Sequence, residues 1–182
     1  MRFILLAAGL LVGAPASQFS APSPTEYEVK AAYLYNFARF VEWPPSSPAV
    51  QASEFNICVL GHDPFGGVLD NTIAGEKIDG KNVVARRIAK AGEATSCRVL
   101  FISSSENKQL REILGDVGKL SVLTVSDMPQ FVQQGGIVQF VLEQERVRFE
   151  INLTAAQQAS LSLSSELLKV AAVVKGKARS GN

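Results

Sequence analysis

Two cysteines, Cys58 and Cys97, carry the most specific chemistry in this 182-residue sequence. Each lies in or beside an apolar run that predicts a buried strand, and such strands are often neighbours in a doubly wound sheet. An even cysteine count favours a disulfide if the chain is exported. Two buried free thiols and a reversible redox pair are the alternatives. A bridge closing a loop of this length would stabilise the fold by about 4 kcal/mol in the chain-entropy picture.

Polar side chains follow three of the apolar runs and form a second candidate site. They are His62, Asp63, Ser103, Ser104, Ser126 and Asp127. In a parallel sheet such strand ends border the crevice where ligands usually bind, and helix N-termini there attract anions. The pattern predicts a ligand crevice. The alternative is that these side chains only cap the helices that follow.

Signatures of catalysis and of metal or nucleic-acid binding are missing from the sequence. His62 is the single histidine, and beside Asp63 it has no accompanying nucleophile motif. No metalloprotease, nucleophile-elbow or Cys-x-x-Cys pattern occurs, so we expect neither an enzyme nor a bound cofactor or metal. The formal net charge is +1. The densest basic spot, Arg86-Arg87 with Lys90, indicates a solvated strand edge and no nucleic-acid partner.

The N-terminus predicts export. Arg2 is followed by an apolar run from Phe3 to Val12, and Ala14-Pro15-Ala16 offers small residues at a cleavage site. The run is too short for a lasting membrane anchor. We therefore expect a signal peptide over residues 1–16, a linker over 17–25, one domain over 26–174 and a polar tail over 175–182.

Hydrophobic periodicity predicts a single α/β domain. Its expected features are a mostly parallel sheet, helices on both faces and an antiparallel edge hairpin. Buried strands are expected over 55–60, 98–103 and 120–125, the hairpin over 137–153, and helices over 63–73, 105–114, 126–132 and 167–174. Along the second hairpin strand, Arg148 and Glu150 alternate with apolar residues, which indicates a solvated face or a polar contact.

The first helix, around Lys30 to Val41, has an apolar arc of roughly 200°, wider than a surface helix needs. Tyr33, Phe37 and Phe40 belong to that arc. We expect the helix to be covered on two sides. The second cover could be a C-terminal element of the same chain, a twin subunit or a partner protein.

Several sequence blocks together resemble the YfiR-like family of bacterial periplasmic proteins. They are Lys30-Ala-Ala-Tyr-Leu-Tyr-Asn-Phe-Ala-Arg-Phe-Val-Glu-Trp-Pro44, Ile57 to Gly61, Asp63 to Gly66, Cys97 to Ser103, Leu123 to Asp127, Gly135-Gly136 and Val147 to Asn152. The blocks occur in order and extend from about Glu26 to Ala172. Cys58 and Cys97 lie where a cysteine pair of the family lies, whereas a further pair that some members carry is absent here.

The resemblance implies a periplasmic repressor of a membrane diguanylate cyclase, acting through the periplasmic sensor domain of that enzyme. It implies control of cyclic-di-GMP and biofilm growth, with oxidation state affecting the repressor. Some relatives occur with histidine kinases, so a sensor kinase is the alternative partner, and a homodimer is possible. For the contact surface we expect Tyr33, Phe37 and Phe40 together with Arg148 and Glu150. A small-molecule sensor module that uses the strand-end crevice is the competing hypothesis.

Overall fold

An eight-stranded β-sheet forms the centre of the protein in the computed structural model, which describes residues 25–176. In chain order the strands are β1 (Val41–Glu42), β2 (Phe55–Leu60), β3 (Lys77–Ile78), β4 (Lys81–Ile88), β5 (Cys97–Ile102), β6 (Leu123–Ser126), β7 (Val138–Glu143), β8 (Arg146–Asn152), β9 (Ser162–Leu163) and β10 (Val173–Lys175). The large sheet has the order β10-β8-β7-β6-β5-β2-β4-β3, and β1 pairs with β9 in a small antiparallel sheet. The predicted signal peptide and residues 17–24 of the predicted linker lie outside the described residues.

The pairing confirms a mostly parallel α/β fold. Strands β4, β2, β5, β6 and β7 run parallel to one another, while β8 returns antiparallel to β7. The remaining strands lie at the two edges: β3 pairs antiparallel with β4, and β10 pairs parallel with β8. Every residue of β2 and β5 is buried, which explains why these strands are continuous apolar runs in the sequence.

Helices cover both faces of the sheet. They are α1 (Glu26–Arg39), α2 (Pro48–Gln51), α3 (Gly67–Ile73), α4 (Leu110–Val117), α5 (Leu153–Gln158) and α6 (Ser165–Val170). A capping box between Thr25 and Glu28 begins α1, whose buried side packs on a core containing Phe55, Phe101 and Phe149. On the opposite face α4 covers a second cluster that includes Leu100, Ile102 and both cysteines.

The C-terminal segment differs from its prediction. A single helix was expected over residues 167–174, but α6 ends at Val170 and the chain continues as β10. Val173 and Val174 are β-branched and favour a strand when a neighbouring strand edge is available, and β8 supplies that edge. Strand β10 includes Lys175, which was assigned to the polar tail, and residues 177–182 of that tail lie outside the described residues.

The predicted helix over residues 126–132 is also wrong, because this segment forms turns. Ser126 is a buried strand residue whose hydroxyl bonds to backbone groups, and no helical ladder follows it. The turns end at Gly135-Gly136, where Gly135 has a φ of +107°. A Cβ atom at Gly136 would lie 2.1 Å from the ring of Phe131, so this glycine permits close packing against the core.

Candidate partner-binding surface

The predicted disulfide between Cys58 and Cys97 is present. It joins the neighbouring strands β2 and β5 with a Cα–Cα distance of 5.8 Å. Both residues are buried at 0% and 1% exposure, in the cluster beneath α4. A reductant in solution therefore reaches the bridge only when this face of the molecule opens.

In the structure, most side chains of the predicted ligand crevice bond to the protein itself. Asp63 accepts hydrogen bonds from the backbone N–H of Phe65 at 2.8 Å and from Nε of Arg87 at 2.8 Å. Ser103 accepts from the backbone of Ser105, and Ser126 donates to the carbonyl oxygen of Ile102. These contacts fit the capping alternative. His62 and Ser104 are exposed.

Asp127 binds the first helix. Its carboxylate lies 2.7 Å from Nζ of Lys30 and accepts a hydrogen bond from the hydroxyl of Tyr27 at 3.1 Å. Burial by itself would lower the pKa of Lys30, but hydrogen bonds to Asp127 and Glu26 outweigh it and the pKa is raised. Lys30 is 3% exposed, so this ion pair fixes α1 across the ends of the strands.

A second ionic contact, at Arg87, was not foreseen from the sequence, which indicated only a solvated strand edge. Arg87 donates to both carboxylate oxygens of Asp70 at 2.9 and 2.6 Å, and also contacts Asp63. The hydrogen bonds from Arg87 lower the pKa of Asp70 below its ordinary value. The contact joins β4 to α3 and to the loop before α3. It could not be predicted from the sequence, because the fold brings these residues together from separate elements.

Most of the wide apolar arc of α1 is covered by the chain itself. Phe37 is 1% exposed, with its ring 4.9 Å from that of Phe149 and 5.8 Å from that of Phe140. Tyr33 is half-buried over the same two rings. Phe40 differs, because 41% of it is exposed. The two rings belong to β7 and β8, so the sheet itself covers this part of the arc, and Phe40 remains partly open to solvent.

An apolar groove lies between α1 and α6, with a volume of about 270 Å³. It is lined by Tyr33, Asn36, Phe37, Phe40, Phe149, Glu166, Leu167 and Val170. Val170 is 59% exposed and Phe40 41%, so two large apolar side chains at its rim face solvent. An aromatic-lined groove with exposed apolar residues is typical of a surface that binds another molecule.

Arg148 and Glu150 lie on the other face of the sheet from this groove. Phe149, between them in β8, packs on α1, and strand side chains alternate between faces. Arg148 is exposed, whereas Glu150 is half-buried with its carboxylate 3.7 Å from Nζ of Lys175 in β10. The residues expected to form one contact surface therefore lie on opposite faces of the sheet, and the edge strand β10 lies between the two faces.

Among residues 25–176, no helix is both long and apolar enough to cross a bilayer. In the same part of the chain, no three side chains of His, Cys, Asp or Glu are grouped in a way that could hold a metal ion.

Together these features define a disulfide-bonded α/β domain with an exposed apolar groove beside a sheet edge. The chain belongs to the YfiR/HmsC-like family, whose sequence model matches residues 27–172. Proteins of this family are periplasmic and generally regulate diguanylate cyclases. Membership agrees with the resemblance found in the sequence blocks.

Comparison with one solved structure supports the fold. A conserved domain protein from Vibrio cholerae O1 biovar El Tor aligns with a TM-score of 0.56 at 12% identity, covering 82% of this chain and 60% of that one. The ABC domain from Streptococcus pneumonia in complex with L-Trp aligns with a TM-score of 0.49 at 13% identity, covering 66% of this chain and 55% of that one. The chain thus spans 60% or less of the length of either. No curated protein matches the chain.

Proposed function

We propose that this protein is a periplasmic repressor of an inner-membrane diguanylate cyclase and that it binds the periplasmic sensor domain of that enzyme. The observation that carries the proposal is the groove between α1 and α6, an apolar surface left exposed on a member of this regulatory family. Loss of the repressor would raise cyclic-di-GMP inside the cell and favour biofilm growth.

In this proposal, repression results from a difference in the affinity of the repressor for two states of the sensor domain. A protein that binds the inactive state of the sensor domain more tightly than the active state shifts the sensor towards inactivity. The groove suits this role because its walls are held in place by the core. Phe37 and Phe149 are almost completely buried, and the Lys30–Asp127 ion pair fixes α1, the helix that ends immediately before Phe40. A preformed surface loses little conformational entropy on binding.

A small-molecule sensor acting on a histidine kinase is the competing function. Four side chains of the expected crevice form hydrogen bonds with other groups of the protein. They are Asp63, Ser103, Ser126 and Asp127. No contact in the described residues favours a ligand there over helix and turn capping. Protein–protein contact is therefore the function that we carry forward, with a homodimer as a further form that such contact could take.

Phe40→Asp tests the proposal. We expect it to raise cyclic-di-GMP to the level of a deletion strain, because a charge at the rim of the groove opposes burial of apolar surface. The matched control is Leu142→Asp, at a residue that is 58% exposed and outside the groove. The control should repress normally.

Cyclic-di-GMP would be measured in cells that produce each variant at equal level, after the purified proteins have shown equal thermal unfolding. Full repression by Phe40→Asp would exclude the groove from the contact. Arg148→Ala examines the other face of β8 by the same assay. Normal repression by that variant would remove Arg148 from the interface.

A further inference from the structure

A single carboxylate interrupts the apolar lining of the groove between α1 and α6. Glu166 is the one charged side chain among the described residues that line this groove. It is exposed, and within residues 25–176 no lysine or arginine forms an ion pair with it. The groove therefore carries a negative charge that the described part of the chain leaves without a cation.

Hydrogen bonds keep the carboxyl group of Glu166 in its charged form. It accepts them from its own backbone N–H and from the hydroxyls of Ser164 and Ser165, and they hold the pKa of Glu166 below its ordinary value. Neutral donors of this kind favour the carboxylate but do not cancel its charge. A cation supplied by a binding partner does both.

Glu166 lies at the Phe40 end of the groove. The backbone N–H of Ser164, two residues before Glu166, donates to the carbonyl oxygen of Phe40 at 2.9 Å. The chain leaves α6 beside Phe149, which accepts a backbone hydrogen bond of 2.8 Å there. Val170 follows Glu166 by four residues in α6, and side chains at that spacing are neighbours, about 5–6 Å apart. The groove thus presents a carboxylate and an apolar rim about one helical turn apart.

The opposite wall of the groove offers a second acceptor. Asn36 of α1 is exposed, and its side-chain amide has no hydrogen-bond partner among residues 25–176. An ammonium group has three donors and a guanidinium group five. A cation that is bound by Glu166 therefore has donors left for the amide oxygen of Asn36.

The charge of Glu166 distinguishes between possible occupants of the groove. A second copy of this chain, paired groove to groove, would bring two carboxylates into an interface whose lining holds no cation, and like charges oppose association. A membrane surface rich in anionic lipids would be repelled in the same way. A protein that presents a cation beside a large apolar side chain has the complementary charge, and one such side chain suits a volume of about 270 Å³.

We propose that the sensor domain of the partner occupies the groove with two neighbouring side chains: a large apolar one that packs between Phe40 and Val170, and a Lys or Arg that pairs with Glu166. This inference rests on the proposed function and specifies the chemistry of the partner. A charge at the rim of an interface acts mainly on the choice of partner and on the rate of association, while buried apolar anchors supply most of the affinity. Glu166 is thus the specificity-determining residue of the groove.

Reversal of the charge at position 166 tests the pairing. Glu166→Lys would replace the natural protein in its source bacterium, beside a deletion strain, and cyclic-di-GMP would be measured. Glu166→Gln is the second variant, because it removes the charge and keeps the shape of the side chain. The matched control is Glu112→Lys. Glu112 is also an exposed acidic residue in the first turn of a helix, but that helix, α4, covers the opposite face of the sheet.

We expect Glu166→Lys to give the cyclic-di-GMP level of the deletion strain, Glu166→Gln an intermediate level and Glu112→Lys the level of the natural protein. Equal thermal unfolding of the purified variants would show that the fold is intact, and if Glu166→Lys unfolds early, Glu166→Gln decides. Full repression by a folded variant at position 166 would overturn the cation pairing. Loss of repression in Phe40→Asp would still support the proposed function in that case.

Photo-crosslinking from position 170 provides a measurement that does not depend on cyclic-di-GMP. A photoreactive amino acid in place of Val170 stands at the rim of the groove, one turn from Glu166. We expect an adduct with a membrane sensor domain whose crosslinked peptide contains a Lys or Arg within about four residues of the attachment point. Exposed position 108, on the α4 side, should give no such adduct. An adduct with a second copy of this chain, a peptide without that basic residue, or no adduct would overturn the inference.

A charge exchange between the two proteins completes the test. Replacing the basic residue of the crosslinked peptide with Glu should restore repression to Glu166→Lys, because the two charges are again opposite. Failure of this exchange, with both proteins folded, would contradict a direct pair. A deletion strain with unchanged cyclic-di-GMP would refute diguanylate-cyclase repression, and the crosslink would then decide the cation pairing by itself.

Discussion

Lys30 shows how much of the candidate surface depends on one buried charge. Its ammonium group is 2.7 Å from the carboxylate of Asp127 and lies 4.5 Å from the ring centre of Tyr27. A charge that is taken out of water must find partners of this kind, because its desolvation costs several kcal/mol. The helix that forms one wall of the groove is anchored by the same contact.

Replacing Lys30 with Met should lower the free energy of unfolding by about 3 kcal/mol, because Asp127 is left without its buried cation. Urea denaturation of the purified protein measures this change. Lys108→Met is the control, since Lys108 is exposed, and we expect it to stay within about 0.5 kcal/mol of the natural protein. Equal stability of the two variants would show that the ion pair adds nothing to the docking of α1.

The contacts of single residues differ in how well they could be predicted from the sequence. The Cys58–Cys97 bridge was predicted because two cysteines leave one possible pairing. The contacts of Lys30 with Asp127 and of Arg87 with Asp70 were not predicted, because many charged residues could serve as partners and only the three-dimensional fold selects one. The crevice residues lie at strand ends as expected. Their hydrogen-bond partners could not be predicted, because these partners too are selected by the three-dimensional fold.

The β7–β8 hairpin contains a strained turn. Gln144 and Glu145, its two central residues, have φ values of +50° and +60°. Both angles lie in the left-handed region, as a type I′ turn requires, and glycine or asparagine suits these positions better than a long side chain does. The turn connects the strand that carries Phe140 to the strand that carries Phe149, so it sets the register of the surface beneath α1.

Glu145→Gly should therefore raise the free energy of unfolding by about 1 kcal/mol, because the left-handed conformation costs glycine almost nothing. Glu143→Gly, in the adjoining strand, is the comparison and should be destabilising. Thermal unfolding of both variants measures the effect. A loss of stability in Glu145→Gly would mean that the Glu145 side chain contributes more to the fold than its backbone strain costs.

Elements with strong patterns were predicted well from sequence. The runs Phe55–Leu60 and Cys97–Ile102 form fully buried central strands, and the alternation along Arg146–Asn152 matches its exposure pattern. Short elements were predicted poorly. The apolar segment after Val170 is compatible with either a helix or a strand. It forms a strand because it pairs with the edge of β8, and local periodicity cannot predict that pairing.

For the whole molecule, the disulfide is the main covalent constraint. Replacing both Cys58 and Cys97 with Ala should lower the free energy of unfolding by about 4 kcal/mol, because the unfolded chain loses a closed loop of 39 residues. Denaturant titrations with and without reductant measure this. Reductant should destabilise the natural protein and leave the double variant unchanged. An equal response of both proteins would contradict a stabilising bridge.

Because α1 precedes β7 and β8 in the sequence, its packing has a consequence for how the protein is made. Its aromatic face packs on Phe140 and Phe149, and β1, directly after it, pairs with β9 near the other end of the chain. A polypeptide that emerges N-terminus first therefore carries this face uncovered until β8 has followed, and such long-range pairing is slow. During that interval the nascent chain is open to aggregation and proteolysis, whatever the stability of the finished fold.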